Sequence, residues 1–105
     1  MKAEPQFLYL TTTGRKTGMR REIEIWFVQA DGNVYILAEH GYKAHWVQNI
    51  LANPRVHVRL GDQQWDGLAR LLDPNKDAEA YSNAGNLSRE KYGWGEGLPV
   101  EIRRV

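Results

Sequence analysis

The segment formed by residues 11–21 combines three consecutive threonines, two glycines and four cations between two apolar runs. Its cations are Arg15, Lys16, Arg20 and Arg21. Gly14 and Gly18 can adopt backbone angles that turn amide N–H groups towards a ligand, and an arginine can bind an oxyanion through two parallel hydrogen bonds. The segment therefore predicts a binding site for a phosphate or another multiply charged anion. A basic, solvated hairpin turn is the simpler alternative.

The glycine spacing of this segment differs from that of the two widespread phosphate-binding loops, G-x-x-x-x-G-K-[ST] and G-x-G-x-x-G. The residues that follow, 21–28, begin by alternating polar and apolar side chains, which is the period of a β-strand. We therefore expect a loop between two strands. A phosphate bound there would contact side chains and turn amides instead of the N-terminus of a helix.

A second segment, residues 39–46, carries a glycine, a lysine and two histidines next to a tryptophan. Together with residues 14–21 it is expected to frame a groove that takes a phosphate at one rim and a flat ring at the other. His40 and His45 lack the i, i+4 spacing of paired helical metal ligands and have no obvious third ligand, so we predict no metal site. The sequence shows no recognisable Ser/His/Asp catalytic triad, so no catalytic residue is assigned.

Composition limits the class of protein. The 105 residues are enough for one domain, and 14 basic against 13 acidic residues leave a net charge of +1, so only local clusters can attract a charged partner. The chain has no cysteine, which excludes disulfides and thiolate zinc sites. No apolar run approaches the roughly 20 residues that span a bilayer, and residues 1–5 show no apolar signal region. We expect a cytoplasmic protein without an integral membrane segment.

Hydrophobic periodicity and turn signals predict six strands and two helices. The strands are expected at residues 6–12, 22–29, 34–39, 55–60, 64–72 and 99–104, and the helices at residues 44–52 and 75–84. Asp31-Gly32-Asn33 is expected to form a hairpin turn, and Asp73 to cap the second helix. Turn-linked strands with two helices favour a mainly β fold, a six-stranded antiparallel barrel decorated by helices, with residues 1–105 as one domain.

The helix over residues 44–52 is expected to act structurally. Its residues at helical spacing predict one apolar face, formed by Trp46, Val47, Ile50 and Leu51. Trp46 is expected to be buried and to close the end of the barrel. Asn49 and Asn53 are expected to satisfy backbone groups of neighbouring turns, without contact to a ligand.

Other charged and aromatic residues have simple interpretations. Glu22 and Glu24 share a strand face, which indicates surface charge that balances the neighbouring Arg20 and Arg21. Trp26 and Trp65 are expected to be rings of a subunit interface or of the core.

The chain is similar to a known family at two motifs. The motif T-T-G-R-K-T-G-x-x-R at residues 12–21 resembles the signature of the deazaflavin-dependent nitroreductase family, and W-x-x-N-x-x-x-N-P-R-V at residues 46–56 is similar to that family's second signature. The likeness runs from about residue 8 to residue 72. It implies a split β-barrel of the FMN-binding type, and a homodimer with the cofactor at or near the subunit interface.

The resemblance also implies a coenzyme and a reaction. In this family the coenzyme is F-420, a deazaflavin with a phosphate and an acidic glutamate tail, and the reaction is hydride transfer to a small organic acceptor, as in nitroreductases and quinone reductases. By motif matching, the phosphate site is formed by Lys16, Thr17 and Arg21, with Thr13, Arg15 and Gly18 adjoining. The segment that lines the deazaflavin ring is matched by Ala38, His40, Gly41 and Lys43.

Three other functions stay open. The first is an FMN-binding split barrel, and the second is a non-catalytic module that carries such a cofactor or has lost it. Turnover of a reduced coenzyme distinguishes an enzyme from a binding module. The third is a nucleic-acid binder that uses Arg55, Arg59 and Arg70 beside aromatic rings, which the near-neutral net charge disfavours.

Overall fold

The structure is a computed structural model that describes residues 5–105. Its strands are β1 (Phe7–Thr13), β2 (Arg20–Trp26), β3 (Val28–Ala30), β4 (Asn33–Ala38), β5 (Arg55–Leu60), β6 (Gln63–Leu71) and β7 (Leu98–Arg104). Its helices are α1 (His45–Ala52), which follows a short 3-10 turn at Gly41–Lys43, and α2 (Ala78–Tyr92). Residues 1–4, which make up most of the segment expected to lack a signal region, lie outside the described residues.

All seven strands form one antiparallel sheet in the order β2-β1-β5-β6-β7-β4-β3. β1 pairs with β2 over its whole length, from Phe7 opposite Trp26 to Thr13 opposite Arg20. The sheet curls until β2 comes near β4, to which it is not hydrogen-bonded. This curled half-barrel confirms the predicted split-barrel fold, with one strand more than expected.

Two hydrophobic clusters hold the sheet and the helices together. The larger one fills the inside of the curled sheet and includes Leu8 and Leu10 of β1, which are completely buried. Alternate residues of a strand face the same side, so these leucines place Thr12 on the inner face as well. The smaller cluster packs α2 through Ala84 against Tyr35 of β4. Burying each large apolar side chain contributes about 1.5–3 kcal/mol.

The predicted second strand, residues 22–29, is in fact two strands at opposite edges of the sheet. The break is at Phe27, whose side chain is 1 % exposed. Its backbone N–H donates to the hydroxyl of Tyr92 at 3.0 Å, and the same hydroxyl contacts its carbonyl oxygen at 2.8 Å. Because α2 satisfies the backbone of Phe27, the chain can leave β2 there and enter β3. The hairpin that follows has Asp31 and Gly32 at positive φ, as its sequence predicts.

The second helix starts later and ends later than predicted. Asp73 accepts hydrogen bonds from the N–H groups of Asn75 and Lys76 at 2.8 and 2.9 Å, but these belong to a turn, and α2 begins only after Asp77. The helix continues to Tyr92 and ends at Gly93, which has the left-handed φ of 77° that glycine tolerates.

The predicted apolar face of the first helix is only partly correct. Val47 and Ile50 are buried, as expected, whereas Leu51 is 55 % exposed. Leu51 lies about 100° further round the helix than Ile50, so it turns away from the sheet. Trp46 packs against the larger cluster but is only partly buried.

The two tryptophans singled out on the strands have different environments. Trp65 is partly buried against the larger cluster, and the Arg104 guanidinium lies 4.7 Å from its ring centroid. Trp26 is 48 % exposed and stacks on the Tyr92 ring, with centroids 4.3 Å apart.

Candidate functional site

The loop between β1 and β2 is closed by its own hydrogen bonds. Gly14 N–H donates to the carbonyl oxygen of Met19 at 2.7 Å, and Gly18 N–H donates to that of Gly14 at 2.8 Å. Gly18 has a φ of 72°, and the Thr17 hydroxyl accepts from Met19 N–H at 3.1 Å. The backbone of the loop is therefore well defined, while its cationic side chains are exposed.

A buried side chain of α1 anchors this loop. The amide oxygen of Asn49 accepts from the backbone N–H of Arg15 at 3.2 Å and from its guanidinium at 2.9 Å. The amide nitrogen of Asn49 donates to the buried hydroxyl of Thr12 at 3.2 Å. Asn53 lies one turn later and accepts from the backbone N–H of Arg55 at 3.1 Å. Both asparagines thus satisfy backbone groups, as predicted, but Asn49 also positions a cation.

The loop faces the second predicted segment across a cavity of about 790 Å³. The cavity is lined by Thr12, Gly14, Arg15, Lys16, Thr17, Arg21, Ile23, His40, Lys43, Ala44, His45, Trp46 and Asn49. We call it the cationic cavity. Among residues 5–105, the side chains of Lys16, Arg21 and Lys43 have no hydrogen-bonding or ion-pair partner. Their uncompensated charge makes the cavity suited to an anion.

Six of the ten predicted cofactor residues line the cationic cavity: Arg15, Lys16, Thr17, Arg21, His40 and Lys43. The other four, Thr13, Gly18, Ala38 and Gly41, do not. Thr13 pairs with Arg20, whereas Thr12 pairs with Arg21 and lines the cavity. Thr12, Trp46 and Asn49 also line the cavity, although they were not predicted to do so. The alternation of inward and outward side chains along β1 could have identified Thr12, because Leu8 and Leu10 point inward and Thr12 is two residues further on.

A second cavity of about 540 Å³ adjoins the first and shares His40, Ala44 and Trp46 with it. Its other lining residues are Phe7, Glu24, Ile25, Trp26, Leu37, Glu39 and Trp94. We call it the aromatic cavity. Trp46 lies at the junction of the two cavities, so the prediction that this ring is simply buried was wrong. Its partly exposed ring is available to a ligand on either side.

The glutamates of β2 do not balance the neighbouring arginines, although the sequence had suggested this. Glu22 accepts from Arg59 at 3.3 Å, and Glu24 accepts from the Tyr9 hydroxyl at 3.2 Å, so neither forms an ion pair with Arg20 or Arg21. Arg70, one of the arginines considered for nucleic acid, is held by Asp77 and Glu101 at 3.2 and 3.0 Å.

One histidine outside the cavities has a perturbed pKa. The carboxylate of Asp66 lies 2.9 Å from Nδ1 of His57, and Gln64 lies 3.0 Å from Nε2. These two acceptors raise the pKa of His57 above its ordinary value, and the hydrogen bond from His57 lowers the pKa of Asp66.

Within residues 5–105, no three His, Asp or Glu side chains come together as a metal site requires. Neither helix of that range is long and apolar enough to span a bilayer.

Sequence comparison identifies the family. A profile described as F420H(2)-dependent quinone reductase matches residues 1–101. The chain belongs to this family. The membership confirms the resemblance drawn from the two motifs. It makes the chain an F-420-dependent oxidoreductase by family, with coenzyme F-420 as the cofactor that the family implies.

Several solved structures are similar to this chain in fold. A structure of an F420-H2 dependent reductase, FDR-A, is 28 % identical with a TM-score of 0.74, and the match covers 97 % of this chain and 96 % of that one. A structure described as a domain-swapped dimer is 27 % identical with a TM-score of 0.67, covering 95 % and 81 %. A FAD-binding protein from Mesorhizobium loti is 16 % identical with a TM-score of 0.76, covering 96 % and 82 %, and shows the same fold.

Proposed function

We propose that this chain binds reduced F-420 in the cationic cavity and reduces quinones or similar small planar acceptors. The main observation in support is that three cations without partners in residues 5–105 line a cavity that continues into an aromatic one. A phosphate and an acidic tail need cations, while a planar ring needs apolar and aromatic walls. The two cavities offer these environments side by side.

The donor set fits the anionic part of F-420. Lys16, Arg21 and Lys43 are free to bind a phosphate or carboxylates, and each charge-assisted hydrogen bond contributes about 1.5–3 kcal/mol. Arg15 is already oriented by Asn49, so less of its side-chain freedom is lost on binding. Thr12 and Thr17 add neutral hydroxyls to the same walls.

The planar part of the coenzyme fits the junction of the cavities, beside the residues that both cavities share, His40, Ala44 and Trp46. When bound, reduced F-420 supplies a hydride, and a quinone that takes up this hydride and one solvent proton becomes a hydroquinone. The residues of this chain bind the coenzyme and the acceptor, orient them relative to each other and exclude water. No side chain of the cavities is assigned as a proton donor, because solvent can supply the proton to the hydroquinone.

We also propose that the active form is a homodimer in the cytoplasm. The relative described as a domain-swapped dimer supports an assembly of two chains. Trp26 of the edge strand β2 and Phe7 of the adjacent β1 line the aromatic cavity and are 48 % and 39 % exposed. A second chain placed next to the mouth of this cavity would shield part of this apolar surface from water. The chain lacks cysteine, and so needs no oxidising compartment for folding.

The function is tested by titrating F-420 and FMN into the purified chain and then following oxidation of reduced F-420 by menadione. We expect F-420 to bind more tightly than FMN, because its acidic tail adds anionic groups for the unpaired cations, and we expect turnover. Binding of FMN alone would contradict the choice of coenzyme. F-420 binding without turnover of any quinone or nitroaromatic would identify a non-catalytic carrier.

A further inference from the structure

The aromatic cavity has the opposite electrostatic character to its neighbour. Among residues 5–105, the carboxylates that line it are Glu24 and Glu39, both of them exposed, and none of its lining residues is a lysine or an arginine. We propose that this cavity is the acceptor site, and that Glu24 and Glu39 select neutral or cationic planar acceptors against anionic ones. The inference rests on the proposed function, which places the coenzyme in the cationic cavity.

The walls of the aromatic cavity suit a flat ring. Three tryptophans line it, Trp26, Trp46 and Trp94, together with Phe7. Aromatic faces of this kind bind planar ligands by stacking or edge contacts, at separations of about 4.5–7 Å between ring centroids.

Two of these rings are held in place by α2. Trp26 stacks on Tyr92 with an interplanar angle of 2°. The Trp94 side chain packs against the smaller cluster, to which α2 contributes Ala84, and the Trp94 backbone carbonyl accepts a hydrogen bond from the buried Ser88 hydroxyl of α2. Because the rings are fixed before a ligand arrives, little side-chain freedom is lost on binding.

The carboxylates have little compensation from the protein. Glu24 accepts one hydrogen bond, from the neutral hydroxyl of Tyr9, and Glu39 has no partner among residues 5–105. Two uncompensated negative charges on a partly enclosed wall repel an anionic ligand and attract a cationic one. A neutral quinone is neither repelled nor attracted by these charges. The tail of the coenzyme is also anionic, so the same charges keep it in the cationic cavity.

The test compares two naphthoquinones that differ in charge, menadione and 1,4-naphthoquinone-2-sulfonate. Binding to the purified chain is measured by quenching of tryptophan fluorescence, and kcat/KM is measured separately with reduced F-420. The variants are Glu24→Gln, Glu39→Gln and their combination. Glu22→Gln is the matched control, since Glu22 lies on the same strand and the same face as Glu24 but outside the cavity.

We expect the preference for menadione over the sulfonate to fall by roughly three- to tenfold in the double variant, in binding and in kcat/KM, and to change little in Glu22→Gln. The preference of the parent should also weaken in high salt. An unchanged preference in the double variant overturns the charge selection. Failure of both quinones to quench the parent overturns the acceptor site. A parent that binds menadione but not F-420 refutes the proposed function alone.

Discussion

The amide oxygen of Asn49 accepts hydrogen bonds from both the backbone N–H and the guanidinium of Arg15, 34 residues earlier in the chain. One buried side chain of α1 therefore fixes both the backbone and a cation of the loop between β1 and β2. This contact joins the two sequence motifs, because each supplies one of the two residues. It explains how a loop exposed to solvent can present a defined arrangement of charges to a ligand.

Replacing Asn49 by alanine should reduce both stability and coenzyme affinity. The variant leaves the buried Thr12 hydroxyl and the Arg15 N–H without partners, which costs about 1–3 kcal/mol of unfolding free energy. F-420 affinity should fall by roughly five- to tenfold, because Arg15 is no longer oriented. Chemical denaturation and F-420 titration measure the two effects.

Asn53→Ala is the control for this prediction. Asn53 is also an asparagine of the second motif, and its side chain also accepts a hydrogen bond from a backbone N–H, but it does not line the cationic cavity. It should cost some stability and leave F-420 affinity unchanged. Equal losses of affinity in both variants would mean that Asn49 acts only through the stability of the fold.

Replacing Trp46 by alanine should affect ligands more than stability. A fully buried tryptophan costs about 3–5 kcal/mol when truncated, but Trp46 is only partly buried and forms part of both cavities. We expect a loss nearer to about 1–3 kcal/mol, with weakened binding of both F-420 and menadione. Trp46→Phe should retain most of the binding. A variant that melts like the parent and binds both ligands normally would exclude the ring from the site.

The His57–Asp66 pair predicts a pH dependence of stability. The folded pKa of His57 is raised by the Asp66 carboxylate, so its contribution is fully present below the ordinary pKa of about 6.5 and is lost as the pH rises through the folded value. The pKa of Asp66 is lowered, so its contribution is lost when the pH falls through its folded value. The pair therefore stabilises the fold in mildly acidic solution.

Asp66→Asn tests this dependence. In the variant, the His57 ring should titrate closer to its ordinary pKa, as followed by NMR. The stability difference between parent and variant should shrink above the folded pKa of His57. A difference that is constant from pH 5 to pH 9 would contradict the predicted pH dependence.

The local part of the fold could be predicted from the sequence. The turn at Asp31-Gly32, the strand at residues 55–60 and the loop between β1 and β2 follow from local rules and lie where expected. The break at Phe27 could not, because the strand pattern continues through it and the break depends on Tyr92, 65 residues away.

The site could be predicted only in part, for a similar reason. Cations and hydroxyls of the loop are visible in the sequence, and six of the ten predicted cofactor residues do line one cavity. The aromatic cavity depends on Trp94 of the α2–β7 loop approaching β2, a contact between distant segments. From the sequence alone, Glu24 was therefore interpreted as a surface charge, whereas in the fold it lies on the wall of that cavity.

The most direct test of the proposed coenzyme site is the affinity of F-420 for four proteins: the parent, Lys16→Ala, Arg21→Ala and Arg20→Ala. Arg21 lines the cationic cavity, whereas the adjacent Arg20 does not and pairs with Thr13. Removing one charge-assisted contact of about 1.5–3 kcal/mol predicts a loss of tenfold or more for Lys16→Ala and Arg21→Ala. Arg20→Ala should bind within about twofold of the parent, since its charge lies outside the cavity and is screened by solvent. If Arg21→Ala binds F-420 as the parent does, or if Arg20→Ala loses as much affinity, the cationic cavity is not the coenzyme site.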